Sequence, residues 1–267
     1  MVPFRLKAAC PVRKFEWMNG MRKKGFGAKW LGLILLTLGG QVWAGPPFLT
    51  DDPDPVDFQH WEFYVAGNYL QTSMGSAGTG QIEVNYGAFP EVQLHTIITG
   101  TFNAPNGQTT TSGTGDTEVG IKYRFLKADD DTLHVTTFPI VELPTGNASQ
   151  GLGSGQLQLY LPLWIQKTWG PWTTYGGGGY WVNPGAGNQD WVFLGWEAQR
   201  ELSKTFTLGG ELFFKTPAIA GGLDSLGFNL GLIVDRDEHN HFMLSLGRDI
   251  VNPVNVLLGY AAYQWTF

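Results

Sequence analysis

The sequence predicts an all-β fold: a transmembrane antiparallel up-and-down β-barrel of about 12 strands, with both termini on the periplasmic side. Three observations carry this. Period-two alternation recurs in segments of about ten residues separated by Gly, Pro, Asn and Asp. The connections between segments alternate between long and short. The chain ends on Tyr263-Gln264-Trp265-Thr266-Phe267, with three aromatic residues on one face and two polar residues on the other.

The segments run over 61–71, 80–88, 91–102, 116–126, 131–142, 155–166, 171–182, 190–200, 205–215, 225–235, 240–249 and 256–267. In the fourth, Val119, Ile121, Tyr123 and Phe125 share one face, with Glu118, Lys122 and Arg124 on the other. The fifth carries Pro139, which marks a local break in the ladder. The sixth sets Leu157, Leu159, Leu161, Leu163 and Ile165 against Gln156, Gln158, Tyr160, Trp164 and Gln166. In the seventh, the run Gly176 to Gly179 points to a bend or a close backbone approach. The ninth opposes Phe206, Leu208, Leu212 and Phe214 to Thr207, Glu211 and Lys215, and the tenth opposes Leu226, Phe228, Leu230, Leu232 and Val234 to Gly227, Asn229, Gly231 and Ile233. No apolar run after residue 44 approaches the length of a membrane helix, which excludes helical spans.

Connections after odd segments are expected to be long (72–79, 103–115, 143–154, 183–189, 216–224, 250–255), and those after even segments short. An even strand number with this alternation brings both termini to the side of the short turns. The aromatic terminal strand resembles the C-terminal signature of bacterial outer-membrane barrels, which implies the barrel-assembly machinery as a partner. Outer-membrane lipids and lipopolysaccharide are the expected surroundings, in the outer membrane of a Gram-negative bacterium.

Residues 1–44 read as a signal peptide: Arg22, Lys23, Lys24 and Lys29 precede the apolar stretch Trp30–Leu38, and Val42-Trp43-Ala44 fits a cleavage site. The leader is long, so translation starting at Met18 or Met21 is the alternative. The cut removes Cys10, the one cysteine, and takes eight of the 17 basic residues but one of the 23 acidic ones. The remaining 223 residues carry a net charge of −13, which argues against nucleic acid as a partner. Residues 45–60 are Pro-rich and acidic, too irregular for a strand; they form either a plug in the barrel mouth or a solvated tail.

The opening Gly45-Pro46-Pro47-Phe48-Leu49-Thr50-Asp51-Asp52-Pro53-Asp54-Pro55-Val56 resembles that of the MetA-pathway phenol-degradation family of proteobacterial outer-membrane proteins, also called a "transporter" family. The Gly115-Asp116 turn entering the strand to Phe125, and Pro139–Gly146 with its Pro-Thr-Gly ending, match the same pattern. The resemblance runs from Gly45 to Phe267. It implies a barrel that passes small hydrophobic or aromatic compounds; it supplies no catalytic residues.

Twelve strands lie between barrels filled by side chains and barrels with a water channel, so a narrow or plugged lumen is expected. Inward aromatics are Tyr64, Tyr160, Trp164, Tyr175, Trp181, Trp191, Phe193 and Phe213. They are either a ladder for an apolar solute or lumen filling and interface girdle. Inward charges are Glu83, Glu118, Lys122, Arg124, Glu197, Glu211 and Lys215, expected to pair because unpaired buried charge is costly. If wet and unpaired, the acidic excess would favour cations. Asp51, Asp52, Asp54 and Asp57 are weak metal candidates without EF-hand spacing, and His239 and His241 are another pair that a strand would turn to one side. Gly151-Leu152-Gly153-Ser154-Gly155 precedes a strand, unlike a nucleophile elbow.

These features point to a passive conduit or binding barrel for small, apolar or aromatic solutes, using no cofactor and no covalent chemistry. The rivals are a lipid-modifying outer-membrane enzyme of lipase or lipid A deacylase type, for which His95 and His134 have hydroxyl neighbours, and a structural barrel with partner-binding loops.

Overall fold

The computed structural model describes residues 47–130, 132–251 and 255–267. The leader with its cut after Ala44, the starts at Met18 and Met21, Cys10 and Gly45-Pro46 lie outside the described residues. Fourteen strands form one antiparallel sheet: β1 (Trp61–Thr72), β2 (Gly75–Phe89), β3 (Val92–Pro105), β4 (Thr111–Thr114), β5 (Thr117–Lys127), β6 (Leu133–Thr137), β7 (Ile140–Leu143), β8 (Gln158–Trp169), β9 (Trp172–Val182), β10 (Trp191–Glu201), β11 (Phe206–Lys215), β12 (Ser225–Asp237), β13 (Asn240–Asp249) and β14 (Asn255–Thr266). Both β4 and β5 pair with β3, and both β6 and β7 bridge β5 to β8, so each couple is one stave of a closed 12-stranded barrel.

Closure is made by the first and last strands. Glu62 pairs with Thr266 and Tyr64 with Gln264, and the Trp61 and Phe267 backbones exchange hydrogen bonds of 2.8 and 3.0 Å. Tyr263, Trp265 and Phe267 face out while Gln264 is buried. Phe63 stacks on Phe267 with ring centroids 5.6 Å apart, and Trp61 stacks on Tyr86 at 4.3 Å. Trp169, Trp172, Phe206 and Phe242 are exposed at the same end, giving that rim an aromatic girdle.

The alternation holds strand by strand. Glu118 and Lys122 are buried while Val119, Ile121, Tyr123 and Phe125 are exposed; Gln158, Tyr160, Trp164 and Gln166 are buried while Leu161, Leu163 and Ile165 are exposed. Mid-strand Leu212, Leu230 and Leu246 are 60, 62 and 62% exposed, part of an apolar belt far larger than soluble proteins display. This belt is what hydrocarbon contact requires. Leu230→Arg is accordingly expected to cost about 2–4 kcal/mol of barrel stability, read by urea unfolding in phospholipid vesicles. An unchanged midpoint would mean that this face does not meet lipid.

Two irregularities fall where the sequence places them. Pro139 separates β6 from β7, and its carbonyl is taken up by the Ile121 N–H at 3.1 Å. The run Gly176–Gly179 stays in register with β8 and β10, but a Cβ at Gly176 would lie 2.5 Å from the Trp196 ring and one at Gly179 the same distance from Tyr160. The glycines make room for aromatics on both faces of the wall.

The connection expected to be long over 72–79 is instead a tight turn at Ser73-Met74, with Thr72 paired to Gly75. Residues 75–79 are small and polar, which reads as loop, but beyond the apolar belt a ladder needs no apolar face. In the same way β3 runs to Pro105 and β4 begins at Thr111, shortening the expected 103–115 loop. The alternation of loop lengths is therefore incomplete. The longer loops are tied down: Asp116 accepts from the Gly146 N–H at 2.8 Å and the Ser154 N–H at 2.6 Å, while Thr145 Oγ1 meets Thr117 Oγ1 at 2.9 Å. The Gly-Asp and Pro-Thr-Gly motifs thus form one latch. Asp116→Ala should free the 144–157 loop, seen as faster proteolytic nicking there with the barrel intact; equal nicking rates would exclude the latch.

Candidate functional site: the lumen and the segment threading it

Residues 47–57 run through the lumen, and the sequence explains how they can. Pro47, Pro53 and Pro55 carry no N–H, so three positions of this backbone need no acceptor. Wall side chains accept from several of the remaining N–H groups and donate to several of the carbonyls. Glu211 on β11 accepts from the Leu49 N–H (2.8 Å), the Thr50 N–H (2.9 Å) and Thr50 Oγ1 (2.7 Å). Gln93 on β3 accepts from the Val56 N–H at 2.9 Å. Ser245 on β13 donates to Pro47 O (2.6 Å), Thr136 on β6 to Pro53 O (2.5 Å) and Lys122 on β5 to Asp52 O (3.0 Å). Phe48, Leu49, Thr50 and Asp51 are all buried.

The wall is hollowed to fit. A Cβ at Gly195 would overlap Thr50 Oγ1, one at Gly209 would lie 2.8 Å from the Phe48 ring, and one at Gly231 would lie 2.5 Å from it. A Cβ at Gly87 would overlap the Asp57 carbonyl. Sequence reasoning missed these four. The signal was present: alternation turns Gly195, Gly209 and Gly231 inward on consecutive strands, where bulkier residues fill the other inward positions.

The inward cations Lys122 and Arg124 pair with acids of the threading segment. Glu118 and Lys122 share a face but lie four residues, about 13 Å, apart along the strand, too far to pair. Lys122 instead meets Asp51 at 3.1 Å and Asp52 at 3.7 Å. Arg124 meets Asp54 at 2.6 Å and also Glu91, and Asp54 is bonded further by Gln166 (2.7 Å) and His134 (2.5 Å). The wall's cations thus hold the acids of the segment. Glu83, Glu118, Glu197 and Glu211 are buried as expected, and Lys215 is half-buried. Glu197 sits opposite Glu211 in the ladder, and both its carboxylate oxygens lack a hydrogen bond.

Asp51 and Asp54 are therefore bound to different basic residues rather than converging on one point, and among the described residues no three His, Cys, Asp or Glu side chains are placed to hold a metal. His239 lies in the turn before β13, so it does not share a strand face with His241; His241 Nδ1 pairs with Asp235 at 2.6 Å. In the Gly151–Gly155 stretch, the Ser154 hydroxyl donates to Gln156 O at 2.8 Å.

All of the expected inward aromatics are buried except Trp191, which is half-buried. Tyr160, Trp164, Trp181, Phe193 and Phe213 pack into one cluster with Leu49 of the threading segment, and Trp191 packs against it. Tyr160, Trp181 and Trp191 stack in sequence, with centroids 4.7 and 5.2 Å apart. Among the aromatic candidates, Tyr64 and Tyr175 line a cavity of about 490 Å³ at the end of the barrel that carries the C-terminus. Its other lining includes His95 and the acids of the segment, together with Asn85, Gln93 and Phe138, which sequence reasoning did not select.

The fold has known counterparts. The chain is similar in structure to the COG4313 outer membrane channel from Pseudomonas putida F1, with TM-score 0.70 and 14% identity over 81% of this chain and 98% of that one. It is also similar to the KdgM porin (TM-score 0.53, 12% identity, 76% of this chain and 99% of that one) and to the NanC porin (TM-score 0.52, 10% identity, 77% and 98%). No protein-family model matches the chain, and no curated protein matches it in sequence. At these identities the likeness is one of fold: a closed antiparallel barrel of the outer-membrane kind.

Proposed function

We propose that the chain is an outer-membrane channel for passive passage of small solutes, occluded at rest by residues 47–57. The observation that carries this is the set of hydrogen bonds and ion pairs from six barrel staves to that segment, seated on inward glycines. A barrel filled only for stability would use wall side chains; here a strand-free length of chain ahead of β1 packs among them. The short-turn rim with its aromatic girdle then faces the periplasm, and the Asp116-latched loops face outward. The outer membrane channel and the two porins that share this fold support the same reading. The solutes are small and carry an apolar or aromatic body, matching Tyr64, Tyr175 and Phe138 in the cavity wall. Membership of the MetA-pathway phenol-degradation family, suggested by the motifs at 45–56, 115–125 and 139–146, belongs to this proposal.

Liposomes carrying the protein with residues 47–57 deleted should leak small aromatic solutes faster than liposomes carrying the intact chain. The same vesicles, supplied with phospholipid and lipid A, should yield no fatty acid by mass spectrometry. Fatty-acid release without leakage would replace the channel by the lipid-modifying reading.

A further inference from the structure

Donors and acceptors around the cavity do not balance. His95 Nδ1 lies 2.6 Å from Asn85 Oδ1, and Asn85 Nδ2 donates to Glu83 Oε1 at 2.9 Å. Because the amide spends its N–H on Glu83, its oxygen must accept; the His95 proton therefore sits on Nδ1, leaving Nε2 a bare acceptor. That nitrogen makes no hydrogen bond, and neither do Glu83 Oε2, Asp51 Oδ2 and Gln199 Oε1. His95, Glu83 and Asp51 are 6, 5 and 1% exposed, and all four residues line the cavity. Every unmatched buried atom among these lining residues is an acceptor.

The charges lean the same way. Asp51, Asp52, Asp54, Asp57, Glu62 and Glu83 line the cavity against one lysine, Lys122, whose ammonium already serves Asp51 and Asp52, while Arg124 holds Asp54. The demand is for a positive group with several N–H donors. A metal ion fits poorly, since no three ligating side chains converge among the described residues. The remaining wall is apolar or aromatic: Tyr64, Phe138, Ile140, Tyr175, Ile233 and Met243. A volume of about 490 Å³ lies within the usual range for small-molecule sites.

We infer that this cavity binds a primary ammonium group carried on an apolar or aromatic body, with Glu83, His95 and Asp51 accepting from the ammonium and the rings and methyls holding the body. This names a solute class for the conduit and rests on that reading.

The test is isothermal titration of the full-length mature protein in detergent with 2-phenylethylamine, its neutral isostere 2-phenylethanol, and phenylacetate. The amine should bind about tenfold or more tightly than the alcohol, because charge-assisted hydrogen bonds replace neutral ones, and phenylacetate should bind most weakly. Glu83→Gln should weaken amine binding about tenfold and leave the alcohol unchanged. Equal affinity for amine and alcohol overturns the inference, as does full amine affinity in an E83Q protein whose heat-shifted gel mobility shows a folded barrel. If E83Q does not fold, the ligand series on the unmodified protein decides. Liposome leakage is read separately: leakage without amine preference keeps the conduit and ends the ammonium site, whereas amine preference without leakage keeps the site and ends the conduit.

Discussion

Deleting residues 47–57 is expected to raise single-channel conductance several-fold in planar bilayers. The barrel itself should survive, because its closure depends on β1 pairing with β14 from Glu62–Thr266 to Thr72–Asn255, none of which involves the deleted stretch. Two costs accompany the deletion. Glu211 loses the two N–H groups and the hydroxyl that it accepts from, retaining Asn229 at 2.5 Å, and Phe48 and Leu49 leave an apolar hollow against Gly209, Gly231 and the aromatic cluster. Both sites then meet water, which solvates the carboxylate and fills the path. Heat-shifted mobility of the deleted protein would confirm a folded barrel, and conductance equal to that of the intact chain would show that the segment is not the barrier.

Lys122→Met should have the second largest effect, by loosening the same segment without shortening it. The Lys122 and Asp51 side chains are 5 and 1% exposed, so truncating one leaves the other charge buried without its partner. Breaking a buried pair in this way costs about 3–5 kcal/mol, more than two decades in the equilibrium between seated and released segment. Conductance should shift from rare to frequent openings. Adding Asp51→Leu removes the orphaned carboxylate and should restore closure in the double variant. If Lys122→Met and the double variant open equally often, the ion pair does not seat the segment.

The barrel was legible in the sequence because alternation is a local property: the strand from Thr117 to Phe125 shows its two faces without reference to any other. Strand ends were less legible. Residues 75–79 pair as β2 although their composition is that of a loop, because a ladder above the apolar belt is held by backbone hydrogen bonds alone. Inward direction was readable for Tyr160, Trp164, Glu197 and Glu211, again from alternation. What each inward residue touches was not. Contacts in a lumen cross the barrel, so Lys122 and Asp51 are 71 positions apart and Glu211 and Thr50 are 161 apart. No period along the chain encodes such meetings. The threading segment itself was visible only as an irregular, acidic, Pro-rich stretch, and whether it entered the barrel depended on glycines in β10, β11 and β12 that carry no side-chain signal of their own.

Cysteine accessibility at position 50 addresses the occluded lumen most directly. With Cys10 as the one native cysteine and placed in the expected leader, Thr50→Cys would report alone in the mature protein. In vesicles, a membrane-impermeant maleimide should leave Cys at 50 unmodified in the otherwise intact chain and label it rapidly once Lys122→Met is added, while a cysteine at exposed Ser203 is labelled in both. Labelling at 50 as fast as at 203 in the chain with Lys122 in place would contradict the occluded lumen, and with it the resting closure of the proposed channel.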